Sequence, residues 1–338
     1  MTTAPDMIVP APAGPSVSRR LLAWLNVLGT FLALLIIFGY FAWQAPESFP
    51  TRGNIETLAR QTTTVAIAAM GMTLIIMAGG IDLSVGSIVA LVTVTVALLL
   101  KSGCPPALAA LLGIVAGGAC GLLNGFLIVS LRVVPFIVTL GTLGIYRGAA
   151  KLLASQSRVS PGSNALAWLI APVRGENAWM FFPPGVWLMF LLLVVTALLL
   201  RYTTFGRHAV AVGSNEQTAR LCGVPVARVK VLVYLFGGLC AGVAGLIQFS
   251  YLRVGDPTTA PGLELNVIAA VVIGGASLSG GEGSPLGSLI GAAIMTVIGS
   301  GASQLRWENP WQEIITGVII VIAVALDRLR HRRAVANE

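Results

Sequence analysis

The sequence predicts an all-α polytopic membrane protein of about ten transmembrane helices. Three observations carry this expectation. The chain has 338 residues, is 56% hydrophobic and 10% charged, and has a mean hydropathy of +0.88. Soluble domains carry about 25% charged residues, so the solvent that suits this composition is lipid. Apolar runs of about 15–25 residues recur along the chain, the length a helix needs to cross a bilayer. Several of these runs are interrupted by Gly and Ser, as in discontinuous helices that line a cavity.

The elements follow in order. Residues 1–18 are rich in Pro, Ala and Ser and are expected to be a disordered N-terminal segment. Arg19-Arg20 and an apolar run over 21–43 come next. That run is too long for a signal-peptide core, and no A-x-A site follows it. An uncleaved first span is expected, although Ser18-Arg19-Arg20 faintly resembles a twin-arginine signal. Further spans are expected at 56–78, 84–100, 106–130, 136–154, 186–200, 229–252, 264–280, 284–304 and 311–326. The span at 186–200 is short, and 264–280 and 284–304 are the interrupted ones. The membrane domain is thus 19–330, with a tail over 331–338.

Orientation follows from charge. An even number of spans puts both termini on one side. Arg19 and Arg20, the loop 201–228 with Arg201, Arg207, Arg220 and Arg228, and the tail with Arg328, Arg330, Arg332 and Arg333 then share that side. These are the densest basic clusters, which marks the side as cytoplasmic. The opposite face still carries residues such as Arg52, Arg60, Lys101 and Arg147, so the bias is moderate. Trp43, Trp168, Trp179, Trp187, Trp307 and Trp311 fall at or near the outer ends of spans or in outer loops, as interfacial tryptophans do. The long outer loop 155–185 is either a docking surface for an external partner or a lid lying on the bilayer.

Several classes are excluded. The net charge of +8 is spread in short runs between apolar spans, which argues for membrane topology and against nucleic acid. Cys104, Cys120, Cys222 and Cys240 have no C-x-x-C spacing and read as packing or loop residues. His208 and His331 sit in basic stretches, so neither a metal site nor a catalytic dyad is expected. No G-x-x-x-x-G-K-[ST] occurs, and no lysine follows a glycine, so the chain has no phosphate-cradling loop of its own. No cofactor is expected.

A lone carboxylate stands in MAGGIDLSVGSIV, residues 77–89. Gly79-Gly80 should end one helix, since glycine suits a left-handed C-terminal cap. Asp82 should then N-cap a helix starting near Leu83. It is either only a cap in a tight turn, or a cap that also orients a gate-lining break. Displacing the sequence by 201 residues aligns Ile67-Ala68-Ala69 with Ile268-Ala269-Ala270, Gly79-Gly80 with Gly280-Gly281, and Gly86-Ser87 with Gly287-Ser288. This suggests a weak internal repeat of broken helix pairs. The copies run parallel on this span count, and inverted if one span is re-entrant.

The stretch 205–233 holds a second signal. Ser214 followed by Gln217 is a capping-box pattern, Glu216 falls in the first turn, Gly223 fits a C-terminal cap, and Pro225 follows. A helix over about 215–221 is expected. So short a helix is unstable alone in water and must pack, either on its own protein or in a groove of a separate cytoplasmic subunit.

GGIDLSVGS, NGFLIVSLRVVPFIVTLGTLGIYRG at 124–148 and VGSNEQTARLCGVPVARVKVLVY at 212–234 together resemble the ribose/xylose/galactose-type permease family of bacterial ABC importers. The resemblance runs from about residue 50 to 326. It implies that the chain is not an enzyme but an inner-membrane permease subunit, and a homodimer. It also implies a separate ATP-binding subunit docked on the short helix as a coupling helix, and a periplasmic sugar-binding protein that delivers a monosaccharide or polyol. The docking residues it implies are Ser214, Asn215, Glu216, Gln217, Ala219, Arg220, Leu221, Gly223 and Pro225. Thr218 and Cys222 depart from the Ala and Ser expected there.

Candidates for the translocation path or gate are Gly79, Gly80, Asp82, Ser84, Asn124, Thr139, Thr142, Asn266 and Ser277. Their amides and hydroxyls suit sugar hydroxyls, and suit hydrogen bonds between packed helices equally. A branched-chain amino-acid permease of the same transporter class is the close rival. A secondary transporter driven by an ion gradient is the rival from another class, although only Asp82 and Glu264 approach a span.

Overall fold

A computed structural model describes residues 17–162, 165–174, 179–308, 310–311, 313–322 and 325. Its helices are α1 Val17–Gln44, α2 Arg52–Met77, α3 Val85–Lys101, α4 Pro106–Leu131, α5 Pro135–Leu153, α6 Pro184–Tyr202, α7 Thr204–Ser214, α8 Glu216–Leu221, α9 Val226–Leu252, α10 Leu263–Ile273 and α11 Pro285–Gln304. A further apolar helix covers Glu313–Ile322. Among the described residues there is no strand, and one isolated antiparallel bridge joins Val159 to Gly255. The protein is an all-α polytopic membrane protein, and six of its described helices are long and apolar enough to cross a bilayer.

Each expected span has a helix, but not all reach across. α10 ends at Ile273 after 11 residues. At 1.5 Å per residue it rises roughly 16 Å, about half of the hydrocarbon thickness. The expected 264–280 span is therefore a half-helix. It stops at Gly274, and Gly275 takes the left-handed conformation at φ 91°, which only glycine adopts without strain. α3 has 17 residues. α2 is long enough at 26 residues but carries a polar stripe at one end. The expected disordered N-terminus falls outside the described residues except for Val17 and Ser18, which open α1. The 331–338 tail also lies outside them.

α9 is the centre of the bundle, packed on α2, α3 and α4. The α4–α9 seam is nearly free of side chains. A Cβ on Gly117 would lie 2.6 Å from Gly242 Cα, and one on Gly121 would lie 2.7 Å from Gly238 Cα. Only glycine permits this approach, and the two backbones run antiparallel in contact. Gly71 on α2 meets Gly237 Cα at 2.9 Å in the same way.

The repeat in space has a different register from the one aligned in the sequence. α10 and α11 fold back on each other, whereas α2 and α3 each lie against α9. The correspondence that the packing supports sets α2, α3, α4 against α9, α10, α11. α9 packs on α3 and α4, α2 packs on α10 and α11, and α3–α4 matches α10–α11. Because α2 and α9 are antiparallel, the two halves are inverted. Gly-Gly and Gly-Ser pairs matched by displacement because glycine is common here, while the glycines themselves do different work. Gly79 caps α2, and Gly280 lies against Gly213.

Candidate functional site: a helix break tied to a short exposed helix

α2 ends in a Schellman cap. The Gly79 N–H donates to Ile76 O and the Gly80 N–H to Ile75 O, both at 2.9 Å, with Gly79 at φ 78°. Gly80 lies against Tyr234, whose hydroxyl would stand 2.5 Å from a Cβ there and donates to Ile81 O at 3.3 Å.

Asp82 is fully buried. Its Oδ1 accepts the Ser84 N–H at 2.8 Å and the Ser84 hydroxyl at 2.6 Å. The expected N-cap is thus displaced. α3 starts at Val85, Ser84 is the capping residue without a side-chain capping bond, and Asp82 closes the turn that precedes it. Asn124 of α4 donates from Nδ2 to Ser84 Oγ at 2.9 Å and to Asp82 Oδ2 at 3.4 Å. The Tyr146 hydroxyl donates to Asn124 Oδ1 at 3.0 Å and to Cys120 O at 2.9 Å. Thr139 Oγ1 donates to Ile81 O at 3.2 Å, and Thr142 Oγ1 to Thr139 O at 3.3 Å. Asp82, Ser84, Asn124, Thr139 and Thr142 therefore gather around one break, and their polar atoms face one another or backbone. An unpaired carboxylate here would be costly, and the donors offset that cost.

Asn266 lies elsewhere, on a polar cleft between α2, α10 and α11. Ser277 sits in the α10–α11 turn, where its N–H donates to Glu282 O at 3.1 Å. Tyr146 and Tyr234 were missed in the sequence, although a tyrosine inside an apolar run is the signal of a buried hydroxyl seeking a partner.

The break is joined mechanically to the basic loop. α7, which the sequence reading did not anticipate, ends at Gly213-Ser214 against the end of α2. A Cβ on Gly213 would overlap Met77 O, and the Gly281 N–H donates to that same carbonyl at 2.9 Å. α8 then begins one residue on. Its N-cap is Asn215, whose Oδ1 accepts the Thr218 N–H at 2.9 Å. The expected Ser214–Gln217 capping box is absent. Ser214 belongs to α7 and donates to Val210 O at 2.9 Å, and Asn caps a helix as well as Ser does. Gly223 is the C-terminal cap at φ 82°, as expected, and Pro225 opens α9.

α8 is held from one side and bare on the other. Glu216 bridges Lys230 of α9 at 2.7 Å and Arg220 at 2.9 Å. The Lys230 hydrogen bond holds the Glu216 carboxyl below the usual carboxylate range, although partial burial pushes the other way. Ala219 is buried, Gln217 and Arg220 are exposed, and Leu221 is 89% exposed. Beside α8 opens a groove of about 1310 Å³ that reaches Gly79 and Ser279 and is lined by Arg132, Arg228 and Lys230.

A buried polar break, half-length helices and a bare helix on a basic end define a membrane transport subunit. Residues 54–324 match the family described as branched-chain amino acid transport system / permease component. The chain belongs to this family and is a multi-pass inner-membrane permease component of an ABC transport system, not an enzyme. It is 39% identical over 302 residues to the ribose import permease protein RbsC of Bacillus subtilis (strain 168), covering 89% of this chain and 92% of that one. It is 35% identical over 305 residues to the ribose import permease protein RbsC of Escherichia coli (strain K12), covering 90% and 94%. It is 36% identical over 313 residues to the L-arabinose ABC transporter permease protein AraH of Azospirillum brasilense, covering 91% and 89%. No solved structure matches.

Proposed function

We propose that this permease carries a monosaccharide or polyol inward, delivered by a periplasmic binding protein and driven by a separate ATP-binding subunit that grips α8. The observation that carries the coupling role is Leu221. A leucine with 89% of its surface in water, on a six-residue helix fixed by Glu216 and Lys230, is a contact without its partner. The contact from α7 at Gly213 to the Met77 carbonyl gives a push on α8 a direct route to the break at Gly79. Asp82, Ser84, Asn124, Thr139 and Thr142 hold that break in shape, and Gly79, Gly80 and Ser277 flank the point where it is moved. Both termini lie on the α8 side, which is the cytoplasm by its basic clusters. Two copies form the working permease.

The sugar reading rests on the ribose and arabinose names of the relatives. The family description favours a second reading, a branched-chain amino acid. The deciding test reconstitutes the chain with its ATP-binding subunit and binding protein in vesicles. ATP-dependent uptake of labelled D-ribose or L-arabinose is the expected result. Uptake of L-leucine alone selects the second reading, and uptake on an ion gradient without nucleotide overturns both.

A further inference from the structure

α2 and α11 run antiparallel and are joined near both ends. Near α8 they are closed by a buried hydrogen bond, Thr73 Oγ1 to Ser288 Oγ at 2.7 Å. Toward the opposite end two adjoining cavities of about 430 and 250 Å³ open beside them and share Gln61, Val65 and Asn266 as walls. Pockets of about 300–1,000 Å³ are the size that small ligands occupy. The mouth is bridged by amides. Gln304 Nε2 donates to Asn54 Oδ1 at 2.7 Å, and Ser48 Oγ donates to Gln304 Oε1 at 2.8 Å.

The walls have a particular chemistry. Gln61 from α2 and Asn266 from α10 both border the two cavities, are only half-buried, and have no hydrogen-bond partner for their side-chain amides among the described residues. Each amide offers two N–H donors and a carbonyl acceptor. No carboxylate lines either cavity. The one cation there, Arg60, is already engaged: its Nε donates to Ile170 O at 2.6 Å, and its guanidinium lies 5.4 Å from the Tyr251 ring centroid. An amino acid entering this cleft would find no counter-charge for its ammonium group. A neutral solute with several hydroxyls would find paired donors and acceptors.

We infer that this cleft is a solute-binding station within the permease, selective for neutral polyhydroxylated molecules through the amides of Gln61 and Asn266. The inference rests on the sugar-import reading and adds to it a site of recognition on the permease itself. Residue Ser300 also lines the larger cavity. The test places a thiol there by Ser300→Cys, with Cys104 and Cys222 changed to Ser, in the permease–ATPase complex in nanodiscs. The rate of modification by a water-soluble thiosulfonate is then measured with D-ribose or L-leucine present. D-ribose is expected to slow modification several-fold and L-leucine to leave it unchanged. Gln61→Leu with Asn266→Leu should remove the protection while leaving the solute-free rate as before, and Gln61→Asn should retain part of it. The station is overturned if D-ribose gives no protection, if the double variant is protected equally, or if L-leucine protects as well. A complex that imports D-ribose without such protection sinks the station alone. Import of L-leucine and not D-ribose sinks the sugar reading beneath it.

Discussion

Asp82 and Asp256 make the same turn at opposite ends of the bundle. Asp82 Oδ1 accepts the N–H and hydroxyl of Ser84 at 2.8 and 2.6 Å, and Asp256 Oδ1 accepts the N–H and hydroxyl of Thr258 at 2.9 and 2.6 Å. Each aspartate follows a long helix, α2 or α9, and precedes a shorter one, α3 or α10. The turn is thus used twice, inverted, in the connection between a long helix and the shorter one that follows it. Their surroundings differ. Asp82 has the neutral amide of Asn124, whereas Asp256 has an ion pair with Arg158 at 2.9 Å. Burial alone would raise the Asp256 carboxyl, but its bonds from Thr258 and Arg158 hold it below the usual range.

Asp82→Asn keeps an oxygen that accepts both Ser84 donors and gives up only the long 3.4 Å acceptor of Asn124, so this variant should fold with a small loss of melting temperature. Asp82→Ala leaves the Ser84 N–H and one Asn124 N–H without their acceptor. Each buried orphan costs about 1–3 kcal/mol, so its loss should be several times larger. Thermal unfolding in detergent or nanodiscs compares the two. Equal melting temperatures would refute the network's structural role.

Gly117→Val should separate α4 from α9, because its Cβ would lie 2.6 Å from Gly242 Cα and 2.7 Å from Gly238 O. Overpacking of this kind costs about 1–3 kcal/mol, and backbone on the far side gives the strain nowhere to go. The control is Gly141→Val on α5, where nothing lies within 4 Å and stability should be nearly unchanged.

Gly223→Ala should weaken α8 without disturbing the bundle. The position has φ 82°, and a Cβ there meets nothing within 4 Å, so the cost is conformational, roughly 1 kcal/mol. Retention of the ATP-binding subunit on the purified complex should fall while the melting temperature of the permease holds. Leu221→Arg should lower retention further.

The Glu216–Lys230 tie sets a pH dependence. Glu216 titrates below its unfolded value, so its contribution is complete at neutral pH and lost as pH falls through the depressed folded value. The pair is part-exposed, so the effect is small. The protection of the α8 amides, their exchange rate relative to the intrinsic rate at each pH, should stay flat from neutral pH to the ordinary carboxylate range and change only below it. Glu216→Gln should show the acid-state behaviour at every pH.

Much of the bundle was legible because apolar length is a strong signal. Each apolar run became a helix, and α8 lay where Gly223 and the Ser-Asn-Glu stretch placed it. What was not legible has physical causes. Ser214 and Asn215 both make good caps, and only the extent of α7 decides between them. The half-length of α10 depends on Gly274-Gly275, a pair no different in sequence from glycines that sit inside helices. The stripe Asn54, Thr57, Gln61 on α2 reads in a hydropathy scan merely as weaker apolarity. In space it is one wall of a cleft, because residues three and four apart share a helix face. The inverted repeat is marked by an aspartate with a hydroxyl residue two positions on, a signature too brief to stand out.

The glycine seam between α4 and α9 has a mechanical meaning. A joint made of backbone against backbone has no rotamers to exchange and no alternative interlock. The two helices must therefore travel as a single stiff spar. Any shape change during turnover has to be taken up elsewhere, around the amide-lined cavities beside α2, α10 and α11 and at the Gly79 cap beneath them.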